Sequence, residues 1–413
     1  MSETKLRCYL AGAESLLIHC AEALLQRGHV ICGVVTEAPQ LTGWARDVGI
    51  PTMAPGADLA SRLSEPFDYF FSITNLSMIR PDVLALARCG GINFHDGPLP
   101  RYAGLYVTAW ALMQRETTHG VTWHVMTEGA DEGDILEQML FDLRGDETSF
   151  GLNTRCYEAA IESFGALIDK LASGAVTPRA QDLTERSYFG LTSRPAAAAT
   201  LDWTKTAEEL AALVRALDFG PVNNPLALPK FVAGDELITT LSAEVVDGGG
   251  APGTVLRIDD DTVVVATGDG ALALGDLRCP RGVPVALADL AARHGLREGA
   301  VLGCLSADAA ARLSEVNQAV CRYERFWTDR LDTLTPVEIP YADRSGGPAQ
   351  KPAHAALDLS RSGLSADELV TALHTRPRYA ASAVTSSSAD SPLRDRSSAA
   401  CAGFCAGPPL RSA

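Results

Sequence analysis

The chain has 413 residues, so two or three domains, each with its own core, are expected rather than one. Its formal charge of −16 disfavours a broad phosphate-binding surface, and with it DNA or tRNA as partners, because such surfaces need clustered Lys and Arg. No apolar run reaches the roughly 18 residues that span a bilayer, and the N-terminus lacks the basic, then apolar, then small-residue order of a signal peptide; a cytoplasmic location is expected.

From the N-terminus, "KLRCYLAG" reads as a strand, "AESLLIHCAEALLQRGH" as an amphipathic helix and "VICGVVTE" as a second buried strand. A weaker cycle follows through "LTGWARDVGI" and "PTMAP", and "FDYFFSITN" is a continuous apolar strand. Pro81 opens a predicted helix over "PDVLALARC" that stops at Gly90-Gly91. This alternation predicts a mostly parallel sheet with helices on both faces and ligands beyond the carboxyl ends of its strands. "YLAGAES" lacks the spaced glycines of a dinucleotide site, so a nicotinamide or flavin cofactor is not expected there.

Next come a helix "TAWALMQRE", two strands "HGVTWHVM" and "GDILEQMLFDL" joined by the turn "TEGADEG", and a long helix "FGLNTRCYEAAIESFGALIDKLASG". The stretch 176–204 reads as a linker and "KTAEELAALVRAL" as a helix. Short alternating strands through "GTVLRIDDDTVVVATGDGALALGDLR" then predict a small barrel. The expected organisation is a catalytic domain over 1–185, a linker over 186–204, a barrel-like domain over 205–308, a helical linker over 309–345 and a disordered tail over 346–413. The ten cysteines show no Cys-x-x-Cys pair and no metal-ligand spacing, and read as reduced thiols. Whether Cys401 and Cys405 pair is left open by the sequence.

Two stretches carry chemistry. In "GGINFHDGPLPRYAG", strand alternation turns Ile92 and Phe94 into packing and presents Asn93 and His95 together on the other side, followed by a loop fixed by Gly and Pro. In "THGVTWHVMTEGADEGDIL", the turn holds Glu128, Asp131, Glu132 and Asp134 around Gly129 and Gly133. A carboxamide donor, an imidazole that moves a proton and a carboxylate that orients it suffice for acyl transfer to an amine. His119 and His124 read as structural histidines beside an apolar strand, Asp96 as a turn former, Glu128 and Glu132 as surface charges, and Asp134 as a strand cap.

"INFHDGPLPRYAG" followed by "HGVTWHVMTEGADEGDI" resembles the formyltransferases that use 10-formyltetrahydrofolate, from residue 5 to about 185. More weakly, "LDWTKTAEELAALVRAL" and the barrel-like stretch are similar to the C-terminal domain of methionyl-tRNA formyltransferase. The resemblance implies a Rossmann-like formyltransferase fold with a small β-barrel (OB-like) domain, and Asn93, His95 and Asp131 as the catalytic trio. It also implies 10-formyltetrahydrofolate as formyl donor, its pterin against the backbone of Ile73, Thr74, Asn75 and Gly129, and no metal.

For the acceptor, the aromatic residues in these two motifs look closer to the formylation domains of nonribosomal peptide synthetases. "LSEVNQAVCRYERFWTDRLDTLTPVEIPYADR" resembles the segment that precedes a synthetase module. That implies an aminoacyl group on a peptidyl carrier protein as acceptor. Methionyl-tRNA, a free amino acid or an amino sugar remain as other acceptors. A 10-formyltetrahydrofolate hydrolase and a non-catalytic docking protein remain as other classes.

Overall fold

A computed structural model describes residues 4–259, 261–280 and 282–332. The expected tail over 346–413, most of the C-terminal half of the expected helical linker, and Cys401 and Cys405 lie outside the described residues. The chain divides into two units, Met1–Phe326 and Trp327–Ala413; the described part of the second is the end of one helix.

In the first unit the alternation seen in the sequence becomes β1 (Arg7–Ala11), α1 (Leu16–Gln26), β2 (Val30–Val35), α2 (Pro39–Asp47), β3 (Thr52–Met53), a single turn α3 (Leu59–Arg62) and β4 (Phe67–Ser72). A second single turn, α4 (Pro81–Leu84), leads to β5 (Ala87–His95), β6 (Ala103–Gly104), α5 (Val107–Met113), β7 (Thr118–Val125), β8 (Ile135–Asp142) and α6 (Ser149–Ser173). The strands order as β3-β2-β1-β4-β5-β7-β8. Pairing is parallel from β3 through β5 and antiparallel from β5 to β8.

Both faces of this sheet are covered, which is why its strands are continuously apolar. Leu10 and Phe71 join Leu17, Leu24, Trp123, Phe164 and Leu167 in the core under α1 and α6, while their neighbours Tyr9 and Phe70 pack with Phe67 and Val83 on the opposite face. Thr148 caps α6 through the Gly151 N–H, and Gly174 ends it in the left-handed conformation.

The helix predicted over Pro81–Cys89 is corrected to one turn. Ala87 and Gly90 pair with Phe67 and Tyr69 of β4, so those residues are drawn into the ladder that delivers β5 to the site.

The rest of the first unit holds β9 (Tyr188–Phe189), α7 (Ala207–Ala216), β10 (Lys230–Ala233), β11 (Glu236–Val246), β12 (Val255–Ile258), β13 (Val263–Ala266), β14 (Ala271–Arg278), α8 (Leu287–His294) and α9 (Ala307–Cys321). A last helix, α10, runs over Glu324–Asp332. Thr206 and Glu209 close a reciprocal capping box at the start of α7. Strands β10-β11-β14-β13-β12 form an antiparallel sheet around Trp203, Phe231, Leu210, Val214, Ile238, Leu272 and Leu274. Its two edges are both engaged by one segment: Val301 bridges Thr254 beside β12, and Gly303 bridges Val232 of β10. The sheet therefore curls in the barrel-like way that the alternating pattern predicts.

Candidate active site

The carboxyl ends of β4 and β5 meet with Ser72 beside Asn93. Period-two alternation does what it must here: Ile92 and Phe94 enter the main core, and Asn93 and His95 take the other side. His95 is only 5% exposed. Its Nε2 lies 2.6 Å from the Tyr102 carbonyl, an acceptor, so Nε2 carries a hydrogen and Nδ1 is left to gain or lose a proton. Two carboxylates face Nδ1, Asp131 Oδ2 at 3.7 Å and Asp96 Oδ1 at 3.9 Å. Gly97 is required in this loop, because a Cβ there would come within 2.7 Å of both His95 Nε2 and the Tyr102 carbonyl oxygen.

Asp131 comes from the turn between β7 and β8. It holds a left-handed backbone (φ 57°), and its Oδ2 accepts the Gly104 N–H at 2.9 Å. Gly133 lets the turn close, since a Cβ there would lie 1.9 Å from the Val125 carbonyl oxygen. Burial by itself would raise the Asp131 pKa, but His95, His124 and the Gly104 N–H together hold it well below the usual carboxylate range. Asp131 is therefore an anion at neutral pH.

His124, read from the sequence as structural, is part of this cluster. It is the cross-strand partner of Asn93. Its Nδ1 lies 3.0 Å from the Val125 carbonyl, which leaves Nε2 facing Asn93 Nδ2 at 3.2 Å and Asp131 Oδ1 at 3.4 Å. Asn93, His124, Asp131 and His95 thus form one continuous polar chain, with Asn93 joined to Asp131 through His124. The signal that would have identified His124 is the register between β5 and β7, which no local pattern encodes.

The residues expected against a pterin lie beside this chain. Ile73 is fully buried, its N–H donated to the Ala11 carbonyl at 2.8 Å and its carbonyl accepting the Thr74 hydroxyl at 2.7 Å. Thr74 is half-buried with φ 50°, and the half-buried Asn75 folds back on Ser77 through two hydrogen bonds, 2.9 and 3.1 Å long. Gly129 is half-buried, and a Cβ there would meet the Glu132 carboxylate. Glu128 and Asp134 are exposed and reach none of these groups; Glu132 pairs with Arg186 at 3.4 Å. His119 is fully buried, donates from Nε2 to the Asp96 carbonyl at 2.9 Å, and is pushed down to about 4 by burial. It stays neutral at pH 7. Among the described residues no group of three or more His, Cys, Asp or Glu is placed to hold a metal ion, and no helix is long and apolar enough to cross a membrane.

The profile of the formyl transferase family matches residues 68–167, and that of the formyl transferase C-terminal domain matches residues 195–295. Methionyl-tRNA formyltransferase of Pseudomonas syringae pv. tomato is 29% identical over 317 residues, 72% of this chain and 98% of that protein. The N-formyltransferase of Helicobacter canadensis, crystallised with folinic acid and dTDP-3-aminofucose, superposes with TM-score 0.53 at 16% identity, covering 67% of this chain and 100% of that one. HypX of Aquifex aeolicus in complex with tetrahydrofolic acid gives TM-score 0.50 at 18% identity over 73% of this chain and 51% of its own. At these identities the two structures speak to the fold.

Proposed function

The chain belongs to the formyltransferase family, and on that premise we propose that it moves the formyl group of 10-formyltetrahydrofolate to a primary amine, with Asn93, His95 and Asp131 as the working residues. The observation that carries this is the continuous polar chain from Asn93 through His124 and Asp131 to His95 at the carboxyl ends of β4 and β5. Half-buried main chain at Thr74, Asn75 and Gly129 beside this chain suits a flat, hydrogen-bonding ring such as a pterin. When bound, the donor supplies an activated formyl carbon open to attack by an amine.

Each side chain then has a task. Asn93, beside His124, keeps an Nδ2 hydrogen for the formyl oxygen as that atom gains negative charge. His95, protonated at Nδ1, adds a second donor and passes its proton toward the departing nitrogen. Asp131, anionic and fixed by the Gly104 N–H, stabilises the imidazolium it faces. Asp96, half-exposed on the same side of Nδ1, makes the approach anionic and so favours an acceptor that arrives as an ammonium. The ammonium gives one proton to solvent to become the attacking amine, and the proton lost from nitrogen after attack restores the one His95 gave to the leaving nitrogen.

For the acceptor we propose an aminoacyl group on a carrier-protein arm, supported by the likeness of the two motifs to synthetase formylation domains and by the charge of −16, which gives a polyanion little to bind. A second reading, methionyl-tRNA, is favoured by the match over 98% of a methionyl-tRNA formyltransferase. The test incubates the whole chain with 10-formyltetrahydrofolate and, in turn, an aminoacyl-pantetheine thioester, methionyl-tRNA, free amino acids and an amino-sugar nucleotide, reading formylated product by mass. Asn93→Ala, His95→Ala and Asp131→Ala should each lose most product; removal of one such donor typically costs about 3–4 kcal/mol of barrier. Full product from all three variants would remove the mechanism. Formate released without any amine would point to hydrolysis, and biological activity kept by His95→Ala would point to a docking role.

A further inference from the structure

The segment 179–189 makes no hydrogen bond or ion pair to a side chain of the Asn93–His95–Asp131 trio, yet it is bonded to the main chain around two of them. Arg179 and Ile135 exchange both backbone hydrogen bonds at 2.8 Å, which fixes where the segment leaves β8. Gln181 Nε2 then donates to the carbonyls of Asp131, at 3.0 Å, and Gly133, at 2.6 Å. Arg186 Nη2 donates to the Ala130 carbonyl at 2.7 Å. Three successive stations of the turn, Ala130, Asp131 and Gly133, are thereby held by two side chains.

The same segment also grips the other side of the site. Ser187 Oγ accepts the Tyr102 N–H at 2.8 Å, and Tyr102 is the residue whose carbonyl holds His95 Nε2. Strand β9 pairs Tyr188 and Phe189 with Ala103 and Gly104, and Gly104 supplies the N–H that binds Asp131 Oδ2. The Phe189 ring stacks between Tyr102, at 5.8 Å, and Trp110, at 4.7 Å.

We propose that 179–189 is a positioning strap, with Gln181 and Arg186 as its positioning residues, which sets the separation of the Asp131 carboxylate from His95 Nδ1. The proposal rests on the reading of Asn93, His95 and Asp131 as the working groups. Asp131 sits in the left-handed region, which Asp adopts more readily than most residues but not so strongly as to fix its carboxylate by itself. Gln181 clamps the carbonyls of Asp131 and of Gly133, so the carboxylate is aimed by the strap rather than by its own turn.

The test is an NMR titration of the His95 imidazole in the full chain, its signal identified by loss in His95→Ala, and it needs no substrate. Asp131 and Asp96 are the charged groups facing Nδ1, with His124 beyond Asp131 and the buried His119, neutral at pH 7, within electrostatic reach. Asp131→Asn, which removes the opposite charge, should lower the His95 midpoint by about one pH unit. Gln181→Met, which changes no charge, should lower it by a measurable part of that, about 0.3 unit or more, and so should Arg186→Lys, which keeps the cation beside Glu132 but shortens its reach to the Ala130 carbonyl. In the formyl-transfer assay the same variants should lower kcat by about tenfold with KM nearly unchanged, since misplacing a catalytic group acts on the barrier rather than on binding. Folded Gln181→Met and Arg186→Lys proteins with the wild-type midpoint would overturn the strap. An unchanged midpoint in Asp131→Asn would instead overturn the reading on which it rests. If one strap variant does not fold the other is read; failure of both to fold, with Asp131→Asn folded, overturns the proposal by making the segment a folding element.

Discussion

The two sheets of the first unit handle polarity in opposite ways. Around the mixed sheet, His29, His95, His119 and His124 are all buried, as are Thr122 and Glu147. In the antiparallel sheet of β10 to β14 the buried polar side chains are threonines, Thr239, Thr240 and Thr267, and the interior is Trp203, Phe231 and aliphatic residues. A desolvated imidazole or carboxylate costs stability unless it is paired, and the first sheet spends its cross-strand pairs at the carboxyl edge on doing so. The second sheet thus adds stability without sharing in the site's chemistry, which makes the contrast open to separate perturbation.

The largest effect should split the two halves cleanly. His95→Ala should lower kcat by about 10³-fold or more, roughly 4 kcal/mol of barrier, while the chain still unfolds in one transition, as read by steady-state kinetics and urea unfolding. In the other sheet, Trp203→Ala should cost roughly 3–5 kcal/mol of stability with kcat per folded molecule unchanged. Catalysis lost from the folded Trp203→Ala protein would break the separation.

Acid should act mainly through the buried groups of the first sheet. The His119 pKa falls from 6.5 in the open chain to about 4 in the fold, so between those values the unfolded chain binds more protons. Stability is then complete above about pH 6.5 and declines as pH falls toward 4, by on the order of 3 kcal/mol from this residue. Asp131, whose pKa is lowered by folding, adds a loss of the same sign at still lower pH. Urea midpoints measured from pH 7 to 4 should fall accordingly, and His119→Gln should flatten that fall. The smallest effect belongs to the exposed pair Arg257–Asp259 on the edge of the second sheet: Arg257→Ala should cost under about 1 kcal/mol, and nothing at high salt.

What the sequence revealed follows the range of the interactions involved. The β1–α1–β2 alternation and the shared side of Asn93 and His95 are local consequences of periodicities 3.6 and 2, and both are visible in the chain. His124 was legible only as a histidine on an apolar strand, because its contacts with Asn93 and Asp131 depend on how β7 lies against β5. The stretch 176–204 reads as a linker, having no periodicity, yet its contribution comes through single side chains, Gln181, Arg186 and Ser187, each reaching a distant carbonyl or N–H. The overlong helix at Pro81 shows the reverse: good local propensity over "VLALA" yields to pairing of Ala87 and Gly90 with β4.

The segment that bridges Thr254 and Val232 has a consequence for association. On the β12 side the Val255 N–H and the Gly253 carbonyl are paired with Ala300 and Leu302, each at 2.8 Å, and on the β10 side the Lys230 carbonyl accepts the Leu201 N–H at 2.7 Å, so part of each rim is already engaged. A visiting strand would have to displace these pairs before it could add to the sheet, so docking on this half of the protein is better served by side chains and loops than by strand addition.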